Sequence, residues 1–472
     1  MPVGVSVVRT LGDLLAAVGG RMLARAPGAP AGVSIDTRTL ARGDLFFALR
    51  GPNFDGHDFV GAAFERGAWG AVVTEGFAPA APVPGALLAV PDPVRALQEM
   101  SRTRRADLDI PFVGVTGSVG KTTTKEAIAC ALSARHRVTK TEGNLNNHLG
   151  VPLSILRVAP DATAAVYELA MTAPGEIRFL ADLARPVVGV VTNVAEVHLE
   201  SMGDLEAVAR AKAELVEALP PGGAAILNWD DPRVRAMAAS ARAQVVSYGF
   251  GPEARLRAER VHLDENGTLF EIVGGGSVRI PAWGRHLVYA ALAAMATAEM
   301  LGVPATEARD ALRGFRPASG RSAFRPLGRA RLLDDSYNAS PASVRAAVAA
   351  LCERPGGAAR IVVLGDMLEL GARADALHEE LGAHLARQPI DLLFLYGPLC
   401  EAVERGARRG GLSADAVRRF ASHAEIAAAL RERLRPGDHL LVKGSRGMRM
   451  EDVIRPLEAD LPEAIRPARG EA

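Results

Sequence analysis

One segment of the chain has the residue types and spacing to hold a polyphosphate. In Phe112-Val113-Gly114-Val115-Thr116-Gly117-Ser118-Val119-Gly120-Lys121-Thr122-Thr123, an apolar run enters a glycine-rich turn and a helix opens on Gly-Lys-Thr. Backbone N–H groups of such a turn, and of the helix start, point at phosphate oxygens. Lys121 then supplies a point charge for the β- and γ-phosphates, and the Thr122 hydroxyl is a ligand for Mg2+. The match to G-x-x-x-x-G-K-[ST] is loose: Val115 stands at the first glycine position, and the upstream glycines are 114 and 117.

Four further places offer chemistry. Thr141 to Pro152 carries Asn144, Asn146, Asn147 and His148 within five residues. Alone this is a polar loop; one helix and one strand after the phosphate turn, it is positioned to face a substrate. Glu168 ends the apolar run Ala164–Tyr167, where a Mg2+ ligand is wanted beside a phosphate loop. His198 follows another apolar run in Thr192-Asn193-Val194-Ala195-Glu196-Val197-His198, at the same sheet edge, and suits a ligand or a general base. Lys212, with Glu214 close by on a helix, reads on its own as a solvated face. Yet only five of the 55 basic residues are lysines: Lys121, Lys125, Lys140, Lys212 and Lys443. A chain so biased toward arginine keeps lysine where a compact ammonium, or an amine able to lose its proton, is needed.

The elements that position these residues follow from the apolar pattern. Short continuous runs at Phe112–Val115, Ala164–Tyr167, Val187–Val191 and Ala224–Leu227 predict strands buried on both faces. Helices are predicted to begin at Lys121, Pro174, Asp204 and Pro232, and the alternation predicts a parallel sheet covered by helices. Residues 254–280 predict a small β-meander, and a helix follows from His286 to Leu301. Before this unit, strands are expected at 33–35, 44–49 and 70–74, with a helix over 58–66 and a connector at Arg102–Arg105. After it, strands are expected at 331–333, 361–364, 392–395 and 439–442, with Ser340 and Ser422 as helix N-caps. The reading is an α/β chain of three domains, 1–108, 109–317 and 318–472. The tail after Pro462 is expected to fray.

Composition narrows the class. The 472 residues are 49% hydrophobic and carry 55 basic against 54 acidic side chains, a net charge of +1. That balance argues against a nucleic-acid sleeve or a polybasic membrane binder. Cys130, Cys352 and Cys400 are too few and too scattered for a disulfide framework or a zinc site. No window reaches about 18 uncharged apolar residues, and no signal peptide is read at the N-terminus, so a cytoplasmic enzyme is expected.

Taken together, these residues resemble the Mur ligases, ATP-dependent amide-forming enzymes of peptidoglycan assembly. The resemblance is carried by Thr-Gly-Ser-Val-Gly-Lys-Thr-Thr at 116–123, Gly-Asn-Leu-Asn-Asn at 143–147, Thr192 to Glu200 and Ala-Lys-Ala-Glu at 211–214. Asp335-Ser336-Tyr337-Asn338-Ala339-Ser340-Pro341, the segment 365–371, Lys443-Gly444-Ser445-Arg446, Ser34 to Arg38 and Asp55-Gly56-His57 are similar to the member that adds D-alanyl-D-alanine. It implies a small α/β N-terminal domain that binds UDP, a central P-loop-type ATPase sheet, and a C-terminal Rossmann-like domain that takes the dipeptide. It implies ATP and Mg2+ as cofactors, UDP-N-acetylmuramoyl-tripeptide and D-alanyl-D-alanine as substrates, no nucleic acid, no membrane insertion, and a monomer. Thr116, Gly117, Ser118, Val119, Gly120, Lys121, Thr122 and Thr123 would hold ATP, with Arg321 and Asp335 reaching it from the C-terminal domain. Thr122 and Glu168 would ligate one Mg2+, Glu168, His198 and a carbamylated Lys212 would serve a second, and Lys121, Glu168, His198 and Lys212 are the catalytic set. Ser34 and Thr37 would meet the UDP moiety; Asn144, Asn146 and Asn147 would face substrate; Tyr337, Asn338, Asp366 and Ser445 would lie near the dipeptide.

The chain departs from the family pattern at Leu287 and Ala290, where asparagines are common, with Asn228 as a candidate replacement, and at Ala170 and Ala195, where glycines are common. A folate-polyglutamylating ligase of the same superfamily is the nearest rival reading; Tyr337-Asn338-Ala339 and Gly365 to Gly371 argue against it. A regulatory GTPase is excluded because no lysine follows an asparagine, so no Asn-Lys-x-Asp motif exists. A nucleotide-binding module without catalysis is a third reading, opposed by the intact set Lys121, Thr122, Glu168, His198 and Lys212.

Overall fold

The strands gather into three sheets in a computed structural model that describes residues 12, 15–79, 81–197, 199–264, 266–354 and 359–459. In the first sheet, β1 (Arg21–Ala24), β2 (Gly32–Ser34), β3 (Asp44–Phe47), β4 (Gly70–Thr74) and β5 (Ala86–Val90) lie in the order β1-β5-β4-β3-β2. All neighbours run parallel except β1 and β5. Every residue of β3 and β5 is buried, as in a sheet covered on both faces. The helix expected over 58–66 is a 3-10 turn, Gly56–Phe59, continued by Val60–Glu65.

The Arg102–Arg105 stretch is no connector: it is the last turn of a helix, Pro93–Ala106, capped by the Asp92 side chain, with Pro93 in its first turn. Ala96, Leu97 and Met100 form its buried stripe. Arg105 is buried because its donors are met by Ala184 O at 2.6 Å, Leu108 O at 3.0 Å and Arg185 O at 3.1 Å, while its guanidinium lies 3.9 Å from the Phe112 ring centre. A run of arginines reads as a solvated linker until those tertiary acceptors are known.

The central sheet holds β6 (Phe112–Thr116), β7 (Val138–Lys140), β8 (Ala164–Glu168), β9 (Val188–Val191), β10 (Ala224–Asn228), β11 (Gln244–Gly249), β12 (Leu256–Asp264), β13 (Gly267–Ile272) and β14 (Gly276–Ile280). Their order is β14-β13-β12-β11-β10-β9-β6-β8-β7. Strands β7 to β11 with β6 are parallel, and β12, β13 and β14 form the expected antiparallel meander at one end. Side chains along β6 alternate: Phe112 enters one core with Tyr167, while Val113 and Val115 enter another with Ile128 and Leu292. The register pairs Val115 with Glu168 and Thr116 with Val191, so the carboxyl ends of β8, β6, β9 and β10 finish side by side. The helices at Lys121 and Pro232 begin where expected, and Asp204 is the N-cap of Leu205–Ala218. Pro174 does not open a helix. That helix is Glu176–Ala184; Gly175 precedes it at φ +86°, and its first N–H groups are met from outside by the Glu214 carboxylate at 2.8 and 2.9 Å.

The third sheet is built from β15 (Ala323–Leu327), β16 (Ala330–Asp335), β17 (Arg360–Gly365), β18 (Leu392–Tyr396), β19 (Val417–Phe420) and β20 (His439–Lys443), in the order β15-β16-β20-β17-β18-β19. Only β15 with β16 is antiparallel. Ser340 and Ser422 cap the helices Pro341–Cys352 and His423–Arg433 through their side chains. The expected frayed tail lies outside the described residues.

The domains are packed, not strung. Leu153, on the helix Gly150–Leu156, enters the N-terminal core, and the Arg157 guanidinium donates to Val33 O at 3.1 Å. On the other side one apolar core runs from Tyr167 and Leu215 under the central sheet to Leu333, Val344 and Leu381 in the C-terminal domain. The carboxyl ends of the central strands thus face the C-terminal domain across a fixed base.

Candidate active site

The phosphate loop is held open by the next strand's end. Gly117 stands at φ +147°, and a Cβ there would sit 1.8 Å from Thr192 Oγ1, so only glycine lets the turn pass this close. Thr192 Oγ1 donates to Val119 O at 2.7 Å; Asn193 accepts the Val119 N–H and donates to Val119 O, both at 2.9 Å. The Ser118 hydroxyl bridges to Ala195, accepting its N–H at 2.9 Å and donating to its carbonyl at 3.1 Å. Gly120, at φ +84°, turns the chain into the helix Lys121–Leu132. Lys121 Nζ folds back onto Gly117 O at 2.9 Å and Ser118 O at 3.3 Å; burial lowers its pKa, Glu168 opposes that, and Arg321 adds to it.

Glu168 is buried at the end of β8 with each oxygen engaged. Thr122 Oγ1 donates to Oε2 at 2.7 Å and Asn146 Nδ2 to Oε1 at 2.9 Å, while its own N–H is taken by Thr141 Oγ1 at 3.0 Å. Thr141 is in turn fixed by Lys125, whose buried Nζ donates to Thr141 O at 2.5 Å and pairs with Glu126 at 3.0 Å. Lys125 therefore braces the helix that carries Thr122 against the loop that carries Asn146.

A cleft of about 870 Å³ runs from this cluster to the C-terminal domain, which contributes Arg321, Asp335, Tyr337 and Asn338. The Arg321 guanidinium lies 4.2 Å from the Tyr337 ring centre and that of Arg446 5.4 Å from it. Asp335 accepts Lys443 Nζ at 2.5 Å and the Ser322 N–H at 2.8 Å, and Lys443 also donates to Asn338 O at 2.7 Å.

Three family models match the chain in sequence order: the Mur ligase family catalytic domain over 30–105, the Mur ligase middle domain over 115–298, and the Mur ligase glutamate ligase domain over 320–446. The UDP-N-acetylmuramoyl-tripeptide–D-alanyl-D-alanine ligase of Bacillus subtilis is 36% identical over 428 residues, covering 90% of this chain and 93% of its own length. The chain belongs to the Mur ligase family. Its counterpart in Escherichia coli is 35% identical over 435 residues, again 90% of this chain and 93% of that one. Among solved structures, MurF from Acinetobacter baumannii superposes with a TM-score of 0.84 at 31% identity, covering 94% of this chain and 98% of that one. MurF from Thermotoga maritima in complex with ADP gives 0.80 at 28%, covering 91% and 97%. A folylpolyglutamate synthase from Mycobacterium tuberculosis gives 0.61 at 16%, a likeness of fold alone.

In this Mur ligase the residues singled out from sequence divide by position. Ser118, Val119, Gly120, Lys121, Thr123, Asn146, Asn147, Glu168, Arg321, Asp335, Tyr337 and Asn338 line the cleft. Thr122 lies just beneath it with Glu168, and Thr116 is fully buried under the loop, its hydroxyl without a hydrogen-bond partner among the described residues. Asn147 also caps a helix, accepting from Leu149 and Gly150 N–H at 3.1 and 2.9 Å; Asn144 is exposed outside the cleft. His198 lies outside the described residues. Lys212 is 2% exposed, not a solvated face, and burial drives its pKa well below the ordinary value, with Lys121 adding to the effect.

Asp366 and Ser445 sit behind the cleft. Asp366 Oδ1 accepts the Cys400 N–H at 2.9 Å, and Ser445 Oγ accepts the Leu368 N–H at 2.8 Å. Ser34 and Thr37 lie on the N-terminal domain, away from the cleft, where Ser34 closes a turn with Asp36. Ala170 and Ala195 need no glycine, since neither has positive φ. Sequence reasoning passed over Asn193, Thr141, Lys125 and Lys443 as site residues. For the two lysines the scarcity of lysine was the available signal; for the others the partners are distant in sequence.

Proposed function

We propose that this Mur ligase joins D-alanyl-D-alanine to UDP-N-acetylmuramoyl-tripeptide at the expense of ATP. The observation that carries the reading is the cleft itself: a phosphate loop and a buried carboxylate on one wall, arginine, tyrosine and asparagine on the other. Relatives aligned over nine-tenths of the chain carry the name of that ligase.

A carboxylate does not condense with an amine in water without activation. The γ-phosphoryl group passes to the tripeptide carboxylate, giving an acyl phosphate; the dipeptide amine attacks, a tetrahedral intermediate forms, and phosphate leaves. Lys121 neutralises developing charge on the phosphoryl oxygens, and the loop N–H groups orient them. Arg321 meets the nucleotide from the opposite domain, and closing the two walls keeps the acyl phosphate from water. Asn146 and Asn147 face the acceptor peptide with Asn144 at their margin, Tyr337 and Asn338 face the dipeptide, and Asp366 and Ser445 hold the loops behind them. Ser34 and Thr37 bind the UDP end on the first domain, with boundaries at 108 and 317.

Mg2+ fits the residues present. Thr122 and Glu168 present hard oxygens 2.7 Å apart, the donor type Mg2+ prefers. Thr122 and Glu168 would hold one ion and Glu168, His198 and a carbamylated Lys212 a second, and bound there the ions would supply charge neutralisation at the phosphates. Carbamylation needs a neutral amine, which the burial of Lys212 favours.

Among the described residues no helix is long and apolar enough to cross a membrane. We assign the reaction to the cytoplasm, where ATP and UDP-linked precursors are pooled, and to a monomer. Phosphate release measured with tripeptide and dipeptide supplied singly and together tests the reading. Release only with both is expected; turnover with L-glutamate and a folate, and none with D-alanyl-D-alanine, overturns it.

A further inference from the structure

The cleft has two ends, and strand order says which part of ATP each end takes. The phosphate loop follows β6; β8 with Glu168 lies on one side, β9 and then β10 on the other. The Thr122–Glu168 pair marks the side where the γ-phosphate meets the acceptor, so the nucleoside runs across β9 toward the end of β10.

At that end Asn228, Asp230 and Asp231 are already engaged. Asn228 donates to Thr192 O at 2.8 Å and accepts the Asp230 N–H at 3.1 Å. Asp230 accepts the N–H groups of Phe250 at 2.7 Å and Gly251 at 2.9 Å. Asp231 accepts the Val194 N–H at 2.7 Å and caps the helix that begins at Pro232. The helix Arg285–Met300 closes this end, and its Leu287 and Ala290 are 1% and 4% exposed and offer no polar side-chain atom. Tyr289 is different. It lines the cleft, its hydroxyl donates to Asp230 Oδ2 at 2.9 Å, and its ring stands edge-on to Phe250, centroids 4.9 Å apart at 83°. Phe250 is itself covered by the Arg285 guanidinium, 4.0 Å from the ring centre, so the tyrosine ring is fixed from two directions.

We infer that Tyr289 holds the nucleotide base in this chain by stacking, and that this end of the cleft reads the π face of a purine, not its hydrogen-bonding edge. The inference rests on the reading of the chain as an ATP-dependent ligase. A site built from buried donors and acceptors discriminates strongly between bases because a wrong base leaves them unpaired. Aromatic stacking is tolerant, because every base has a π face. Guanine nucleotides should therefore be accepted nearly as well as adenine nucleotides.

The test is calorimetric binding of ADP, GDP and inorganic tripolyphosphate, each with Mg2+, to the full chain and to Tyr289→Ala and Tyr289→Phe. Tripolyphosphate has no base and reports the integrity of the phosphate loop. The Ala variant is expected to bind ADP at least tenfold more weakly while its tripolyphosphate affinity changes less than twofold, and the Phe variant to keep ADP affinity within threefold. A smaller ADP loss in the Ala variant, a larger tripolyphosphate loss, or a larger loss in the Phe variant overturns the role of the ring. GDP is expected within tenfold of ADP on the unaltered chain; a wider gap overturns the π-face reading. Failure of the unaltered chain to bind ADP would count against the ATP-dependent reading and not against Tyr289 in particular.

Discussion

Two carboxylates, one on each side of the cleft, occupy similar places at strand ends and do different things. Glu168 ends β8 and takes its hydrogen bonds from Thr122 and Asn146, side chains that themselves border the cleft. Asp366 follows β17 and takes the Cys400 N–H, the start of the helix Cys400–Arg409, behind the cleft. The first carboxylate is held by partners that an incoming ligand can replace; the second is bound to backbone that no ligand displaces. A motif residue beside a site is thus chemical or architectural according to what its oxygens face.

The largest effects are expected on the central wall. Lys121→Ala and Glu168→Ala should each lower turnover by ~10²-fold or more, the usual loss when one electrostatic stabiliser is removed. Lys212→Arg should be as damaging despite its retained charge, because arginine cannot shed a proton to be carbamylated. Lys212→Ala should regain part of its activity from an added short carboxylic acid. Near-wild-type phosphate release by any uncomplemented variant removes that residue from the chemistry. Next comes Lys125→Met, which leaves Thr141 O without its Nζ donor and Glu126 with Lys140 alone, and loosens the brace between Thr122 and Glu168. Turnover should fall roughly tenfold, as for a misplaced reacting geometry, and the Mg2+ concentration giving half the maximal rate should rise. An unchanged Mg2+ dependence would leave Lys125 a merely structural residue. On the C-terminal wall the effect should turn from rate to stability. Asp366→Ala removes a helix-start acceptor worth about 1 kcal/mol, visible as a lower Tm with an unchanged KM for ATP. A KM that rises while Tm holds would put Asp366 with the ligands.

Much of the central wall is legible in the amino-acid sequence, because its chemistry is local. The turn Thr116–Thr123 and the strand ending at Glu168 are contiguous, and each carries its own apolar run. What is not legible depends on partners far along the chain. Arg105 reads as linker until Ala184 and Arg185 accept its hydrogen bonds, some 80 residues away in sequence. Pro174 resembles a helix start, but the helix waits for Gly175 because Glu214, from another helix, caps it there. Asp366 and Ser445 are legible as motif residues, yet only the packing of the loops around them shows that their side chains bond to neighbouring backbone and do not line the cleft.

The smallest expected effect also belongs to the C-terminal wall, and it is a matter of pH. His378 is fully buried; its Nδ1 donates to Ala374 O at 2.7 Å and its Nε2 accepts the Met367 N–H at 3.0 Å, an arrangement that only the neutral ring can make. Burial lowers its pKa from the ordinary histidine value, against the opposing pull of the Ala374 carbonyl and of Asp366 and Asp375. As pH falls through about 6.5, the unfolded chain takes up a proton that the folded chain still refuses. More protons bound to the unfolded state mean that stability falls with falling pH. The contribution of His378 is therefore complete above about pH 6.5 and is lost on acidification toward its lower folded pKa. His286 and His439 are shifted in the same direction by burial, so the drop in the unaltered chain is a sum. His378→Gln has no charge to gain and should show a shallower fall in Tm between pH 7.5 and 5.5. It should also show less acid-induced acceleration of hydrogen exchange at the Met367 amide. Parallel Tm profiles for the two proteins, with equal exchange at Met367, would mean that this histidine takes up its proton equally in the folded and unfolded states and has no part in the pH response.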